Sequence, residues 1–348
     1  MQNRALVYVL HSGEMFGTER MALATMLAQK DSMPLILVCP PGKISAVAER
    51  FHIQTHCFRN NCELLSILAL VFSEYSSIAF FSTAVSHSVC ACLLALLYRA
   101  DLQHVHMVHG GTDESRSYGR KKWLNWLPVR FVAVSEYVRS RLLAHGVPGQ
   151  KITVIHNFLL PGPAPFHHAF TEPVRKAIVV SRLDPIKRID LLLHALSGNT
   201  MLADMPVDIC GTGWCEQALR QTAQQQKLNV RFTGFCDDIP ARLATADVLI
   251  HTCPEEPFGL VVLEAMRARI PVCVPDQGGT AEIVRDGWNG FLYQANNPAD
   301  LARVLTKIRQ LAPAELNRIT VNATQTLEQK FSQRAKMPEY IRLIGECK

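Results

Sequence analysis

"VVSRLDPIKRIDLLLHAL", Val179–Leu196, is the stretch whose reading decides the fold. Its two valines end a short apolar run, "KAIVVS", too short for a helix and apolar on both sides. Ile189, Leu192, Leu193 and Leu196 then recur at i, i+3, i+4 and i+7, which makes one buried helical face. A strand apolar on both faces and followed by a helix is half of a parallel βαβ unit. The alternation repeats upstream with "ALVYVL", "PLILVC", "SIAFFS", "HVHMVH" and "FVAVS", and downstream with "VDIC", "VRFTG", "DVLIHT" and "IPVCVP". At 348 residues the chain is long for one core. The pattern therefore predicts an α/β protein of two doubly wound parallel-sheet domains.

The break lies in "NFLLPGPAPFHHAFTEPVRK", Asn157–Lys176, with four prolines, one glycine and no sustained period. The expected division is a domain over 1–157, a linker over 158–176, a second domain over 177–330 and a terminal helix over 331–348. Pro338 is expected to bend or break that helix and let it pack back on the first domain. Ligands of open α/β sheets bind beyond the carboxyl ends of the strands, so two such domains facing each other would make a cleft.

Bulk composition narrows the classes. The greasiest runs, "LLSILALVF" and "VCACLLALLY", fall short of the roughly 18 apolar residues of a membrane span. The N-terminus reads as a first strand without a cleavage site, so a cytoplasmic location is expected. Eleven cysteines without a C-x-x-C pair read as reduced thiols used as small hydrophobes. Residues 1–157 hold 15 Lys+Arg against 10 Asp+Glu, a net +5, and the remainder 21 against 20, a net +1. The first half thus favours an anionic partner.

Several stretches can carry chemistry. Asp184 can cap a helix opened by Pro185, which sets Arg182 and Lys187 about a helix N-terminus, a seat for a diphosphate. The alternative is two solvated surface charges. In "ICGTGWCE", Gly211 and Gly213 suggest a dinucleotide turn, but Glu216 stands where the third glycine belongs, which disfavours a nicotinamide site. The turn can still bring backbone to a ligand. Gly13 and Gly17 make a flexible loop after the first strand, and amides near Gly17 could meet phosphate.

In "HVHMVHGGTDES", His104 and His106 share a strand face, but no acid or cysteine completes a metal set. His109 sits at the strand end, placed to bond a sugar hydroxyl or shuttle a proton, or else to be a satisfied core histidine. Arg120, Lys121 and Lys122 adjoin Trp123 and Trp126, three apart on a predicted helix. That mix suits an anionic membrane surface, or a surface helix with two half-buried tryptophans. No nucleic-acid motif accompanies it, and no nucleic-acid partner is expected.

"VVSRLDPIKRIDLLLHAL", "ICGTGW", "VRFTGF", "EEPFGLVVLEAM" and "GGTAEIVRDGWNGFLY" follow in an order that resembles the C-terminal half of retaining GT-B glycosyltransferases. The first half is similar more loosely, through "FGTER", "VHMVHGG" and "FVAVSEYVRSRLLAHGVPGQKITVIHN". The resemblance is to the large family-4-like, group 1 set, and it implies GT-B architecture with two Rossmann-like domains. Its E-x7-E motif matches Glu256 and Glu264, which would hold hydroxyls of the donor sugar and the nucleotide ribose respectively. Amides around Phe258, Gly259 and Leu260 would lie near sugar and phosphate, with Pro257 opening their helix. Arg182 and Lys187 match the cationic pair on the donor diphosphate, His109 the histidine near the transferred sugar, and Gly17 the glycine loop.

Two positions depart from the family. Thr18 replaces the second glycine of a Gly-Gly pair, and Arg188 stands where a glycine usually follows Lys187. The resemblance implies sugar transfer from a UDP- or GDP-sugar to a glycan or lipid-linked acceptor, in bacterial polysaccharide or lipopolysaccharide biosynthesis at the inner membrane face. No D-x-D motif is present, so Arg182, Lys187 and helix N-termini are expected to offset the leaving charge without a metal or other cofactor. The competing readings are a GT-B nucleotide-sugar epimerase or hydrolase, and a sugar-nucleotide-binding module without catalysis.

Overall fold

The computed structural model of the chain describes residues 3–111, 113–162 and 166–345, in two α/β units. Unit 1 takes the residues up to Leu160 and those from Gln333 on; unit 2 takes Pro161–Ser332. Residues 163–165 of the expected linker and 346–348 of the expected terminal helix lie outside the described set.

Seven parallel strands build unit 1: β1 (Arg4–Val9), β2 (Leu35–Cys39), β3 (Gln54–Cys57), β4 (Ser77–Ser82), β5 (Asp101–Val108), β6 (Val129–Ala133) and β7 (Ile152–Val154). Their order is β3-β2-β1-β4-β5-β6-β7, so the chain reverses its direction of growth between β1 and β4. In β1 Ala5 to Val9 are all buried, and β4 is buried throughout. Both faces of these central strands are covered, which is why their sequences do not alternate. The helix Val85–Tyr98 buries His87, Ser88, Ala91, Leu94 and Ala95 but leaves Leu93, Leu96 and Leu97 exposed.

Unit 2 has six parallel strands: β8 (Ala177–Val180), β9 (Val207–Cys210), β10 (Val230–Gly234), β11 (Val248–Ile250), β12 (Val272–Pro275) and β13 (Phe291–Tyr293). The order β10-β9-β8-β11-β12-β13 puts its reversal between β8 and β11. Ile189, Leu192, Leu193 and Leu196 pack with Val179, Ile209 and Ile250 in its core, as their helical spacing requires. Ten strands coincide with the runs quoted above; β3, β7 and β13 had no signal, and all three are edge strands.

Within the expected linker, Phe158 and Leu159 are buried, as are Phe170 and Val174 in the unit 2 core. Asp247 ties part of this stretch to unit 2 by accepting hydrogen bonds from the amides of Arg175 and Lys176, both 2.8 Å. The terminal helix Gln333–Gly345 runs through Pro338 without breaking and belongs to unit 1. Tertiary packing outweighs the lost amide: Tyr340 is fully buried, with its ring centroid 6.5 Å from Phe81 and 6.1 Å from Phe158.

Truncating a buried aromatic costs about 3–5 kcal/mol. Tyr340→Ala should therefore lower the midpoint of unit 1 unfolding in chemical denaturation. An unchanged midpoint would show that the terminal helix does not contribute to that core.

Candidate functional site

The loops after β8, β9, β11 and β12 gather at the carboxyl edge of the unit 2 sheet, around its point of reversal. After β8 the chain departs from expectation. Pro185–Lys187 form one turn of 3-10 helix, Arg188 adopts a left-handed conformation at φ 51°, and the α-helix begins at Ile189. Asp184 makes no side-chain cap; its carboxylate pairs with Arg182 at 2.8 Å. Arg182 is 57% exposed, so this pair is weakly held and its guanidinium is free to turn to a ligand.

Lys187 is held differently. The hydroxyl of Thr252, in the loop after β11, donates to the Lys187 carbonyl at 2.5 Å, which joins the two loops. From there Lys187 Nζ reaches Glu256 Oε2 at 2.6 Å, and both side chains are largely buried. His251 Nε2 stands 3.5 Å from the same carboxylate oxygen. Burial opposes charge on both groups, but their mutual attraction prevails. Lys187 is held above the usual lysine range, and Glu256, with His251 assisting, well below the usual carboxylate range. The acid's contribution to stability is lost only as pH falls below the ordinary carboxylate range, and the lysine's only as pH rises above the ordinary lysine range. Through the neutral range Glu256 is therefore a fixed hydrogen-bond acceptor, not a proton donor.

The helix after this loop is Leu260–Arg267, with Gly259 at its N-cap and φ 95°. It opens three residues later than Pro257, and no side chain caps it. Its positive end therefore faces the carboxyl edge of β11 uncompensated. Gly259 cannot carry a side chain, since a Cβ would lie 2.5 Å from Thr280 Cγ2 in the next loop. The loop after β12 completes the edge: the Gly279 amide donates to the Glu256 carbonyl at 2.7 Å and fixes the residue that pairs with Lys187. Neither that bond nor the Lys187–Glu256 pair was read from the sequence; the "GG" after the strand was the available signal.

The remaining expected residues divide. Glu264 is buried in the helix just past its first turn, and Leu260 starts that helix. Phe258 turns inward, its ring 5.9 Å from Phe331, so only its backbone is available to a ligand. Gly211, at φ 141°, packs directly on the Ser181 carbonyl, and its glycine is explained by two loops meeting. Arg188 does not join the phosphate seat; it bonds Asn296 and lies 3.4 Å from Asp190. Its left-handed backbone shows why a glycine suits this position.

In unit 1, Gly17 is the first residue of the helix Gly17–Leu27, not part of a flexible loop, and Thr18 is helical without strain. Glu19 reaches back to the Phe16 amide at 3.1 Å. His109 follows β5, with a shielded Nε2 that has no partner among the described residues. Burial, with the charge of Lys121 nearby, lowers it to about 3, so its imidazole is neutral. His104 and His106 both bond Ser82, each at 3.1 Å.

The basic tryptophan stretch is a 3-10 helix, Gly119–Leu124, and Trp126 lies beyond it. Trp123 and Trp126 are 67% and 94% exposed rather than half-buried. Arg120 and Lys122 are exposed as well, but Lys121 is buried and leaves the surface patch.

Comparison with known proteins matches residues 164–326 to the profile of glycosyl transferases group 1 and residues 23–159 to that of Glycosyltransferase Family 4. An uncharacterized glycosyltransferase of Methanocaldococcus jannaschii is 26% identical over 244 residues, 63% of this chain and 62% of that protein. The chain thus spans less than two thirds of that relative. An N-acetyl-alpha-D-glucosaminyl L-malate synthase of Bacillus anthracis is 24% identical over 276 residues, 74% of this chain and 71% of that one. Among solved structures, HepE of Anabaena in complex with UDP and glucose superposes with a TM-score of 0.82 at 20% identity, over 98% of this chain and 99% of that one. The last similarity establishes the fold.

Removing one partner of a buried ion pair costs about 3–5 kcal/mol. Glu256→Gln should lower the melting temperature accordingly, and an unchanged temperature would contradict the pair's burial. Arg188→Gly relieves a left-handed backbone and should change stability by less than about 1 kcal/mol, whereas Arg188→Val should cost about 1–2 kcal/mol. Equal melting temperatures for the two variants would remove the backbone explanation.

Proposed function

We propose, for a chain that belongs to the group 1, family-4-like glycosyltransferases of GT-B fold, transfer of a hexosyl group from a nucleoside-diphosphate sugar to a hydroxyl of a glycan or lipid-linked acceptor. One observation carries the reading. A buried Lys187–Glu256 pair stands where the unit 2 sheet reverses, beside the uncapped N-terminus of Leu260–Arg267. Cation and helix end suit a diphosphate, and the ionised carboxylate suits sugar hydroxyls. UDP in the HepE complex supports a UDP-sugar as donor.

In the proposed reaction the bond from sugar C1 to the diphosphate oxygen breaks, and its electron pair stays on the diphosphate. Lys187, Arg182 released from Asp184, and the helix N-terminus stabilise the added charge without calling on a metal. The acceptor oxygen bonds C1 on the face the diphosphate leaves, with retention, and its proton passes to a departing phosphate oxygen. Glu256 orients sugar hydroxyls; Glu264 takes the ribose; amides at Phe258, Gly259 and Leu260 approach sugar and phosphate. His109 serves as a neutral hydrogen-bonding group, and the start of the helix at Gly17 as a further contact for the donor. Gly211 keeps the loops after β8 and β9 in contact, and its backbone is a further contact for the donor.

The acceptor belongs, in this proposal, to surface polysaccharide or lipopolysaccharide synthesis at the cytoplasmic membrane face. Among the described residues no helix is long and apolar enough to cross a membrane. Arg120, Lys122 and Trp123 are exposed on a 3-10 helix packed against Val85–Tyr98, whose Leu93, Leu96 and Leu97 are exposed too, and Trp126 just beyond that turn is exposed as well. Apolar side chains among cations fit peripheral contact with anionic lipid, now without Lys121.

Incubation with UDP-, GDP- and ADP-hexoses, with and without a glycolipid extract, tests the reading. Nucleoside diphosphate should be released rapidly only when acceptor is present. Rapid release without acceptor would identify a hydrolase, a changed sugar on the intact nucleotide an epimerase, and an unchanged nucleotide sugar under every condition a binding module. Lys187→Met should reduce turnover by about 10²–10³, as for loss of one charge-stabilising donor.

A further inference from the structure

Unit 1 contains a buried lysine in a setting unlike that of Lys187. Lys121 is only 6% exposed, and no acidic side chain among the described residues pairs with it. Its 3-10 helix packs against Val85–Tyr98, which follows β4 at the point where the unit 1 sheet reverses. That helix begins at Val85 after Ala84 with no side-chain cap, so its positive end is uncompensated as well.

Imidazoles gather at the start of the helix Val85–Tyr98, against which the turn carrying Lys121 packs. His11 follows β1 and shares a 2.9 Å bond with Thr83. His87, in the first turn of the helix, has a buried Nδ1 without a partner, and so has Nε2 of both His106 and His109. All four lie close enough for the charge of Lys121 to act on them. Burial, with the charges of His11 and Lys121 adding to it, lowers His109 to about 3 and, against a hydrogen bond to the Val9 backbone, His87 to about 4. Burial lowers His11 and His106 as well, so all four are neutral at pH 7 and each has one N–H to donate. A buried cation, unpartnered imidazole nitrogens and an uncapped helix start have no negative counterpart within the described residues. Such a cluster is costly unless an anion fills it.

We propose that Lys121, with His11, His87 and the N-terminus of helix Val85–Tyr98, binds a phosphate or carboxylate group carried by the acceptor substrate. This rests on the transferase reading and narrows its acceptor to an anionic one. Lys121 supplies the charge, and the imidazoles with the helix amides supply hydrogen bonds on the remaining sides. The arrangement trades stability for binding, as functional sites do.

The test titrates inorganic phosphate, malonate and glucose 1-phosphate into the protein with saturating UDP present, read by calorimetry and thermal shift. Lys121→Met is compared with wild type and with Lys121→Arg. We expect Lys121→Met to melt higher than wild type without ligand and to lose at least tenfold in affinity for all three anions, with Lys121→Arg retaining most of it. Glucose 1-phosphate should bind more tightly than inorganic phosphate; the reverse order would assign the site to a free anion and overturn the acceptor assignment. Equal affinities in wild type and Lys121→Met, or no binding to either, would overturn the site itself. A wild type that binds these anions but ignores UDP would count against the nucleotide-sugar reading and leave the anion site standing.

A second measurement needs no variant. Burial, with Arg120 adjacent, lowers Lys121 to about 8. The facing groups are Arg120 on its own turn, His11, His87, His106 and His109, and the histidines are already neutral at that pH. Malonate keeps its charge there, so its affinity should fall about tenfold per pH unit above about 8. Affinity that stays level to pH 9.5 would contradict the role of Lys121.

Discussion

A parallel sheet sends every strand's carboxyl end to one edge, and the rest of this protein follows from that constraint applied twice. Each sheet reverses its order of growth once, between β1 and β4 in unit 1 and between β8 and β11 in unit 2. Loops diverge at such a reversal and leave space for a ligand. In both units a helix N-terminus without a side-chain cap opens at the reversal, at Val85 and at Leu260. Both edges are thereby positive before any side chain is counted.

Lys187 and Lys121 show how the same edge is used differently. Lys187 is neutralised within the protein by Glu256, whose own carbonyl is pinned by Gly279. The pair keeps both charges ionised and in place, so a ligand meets a cation and an acceptor whose geometry is already set. Lys121 has neutral imidazoles and Arg120 about it, and no acidic partner among the described residues. In the proposed function the first is a preassembled seat for a ligand of mixed charge, and in the proposed anion site the second calls for negative charge. Arg182, exposed and loosely paired to Asp184, is the adjustable part of the first seat.

Legibility in the sequence followed burial. Central strands such as "ALVYVL" and "SIAFFS" are covered on both faces and were plain from composition. The edge strand β3, "QTHC", is half-exposed and carries no apolar run; β7 and β13 have three residues each. Lys187, Glu256 and the helix Leu260–Arg267 were recognisable by their order in the chain. That Lys187 and Glu256 touch was not, because 69 positions separate them and the contact depends on how two loops cross. Local capping rules misplaced two helix starts. Asp184 preferred Arg182 to an amide, and Gly259 rather than Pro257 set the start of the next helix. Lys121 read as surface from its neighbours Arg120 and Lys122, since a tight 3-10 turn directs adjacent residues to different sides.

Hydrogen–deuterium exchange with and without UDP tests the central claim most directly, because it reads every loop at once. Exchange should slow in residues 181–188, 251–262 and 276–282 of unit 2, around the Lys187–Glu256 pair. Protection that misses these three loops while UDP is bound would contradict it.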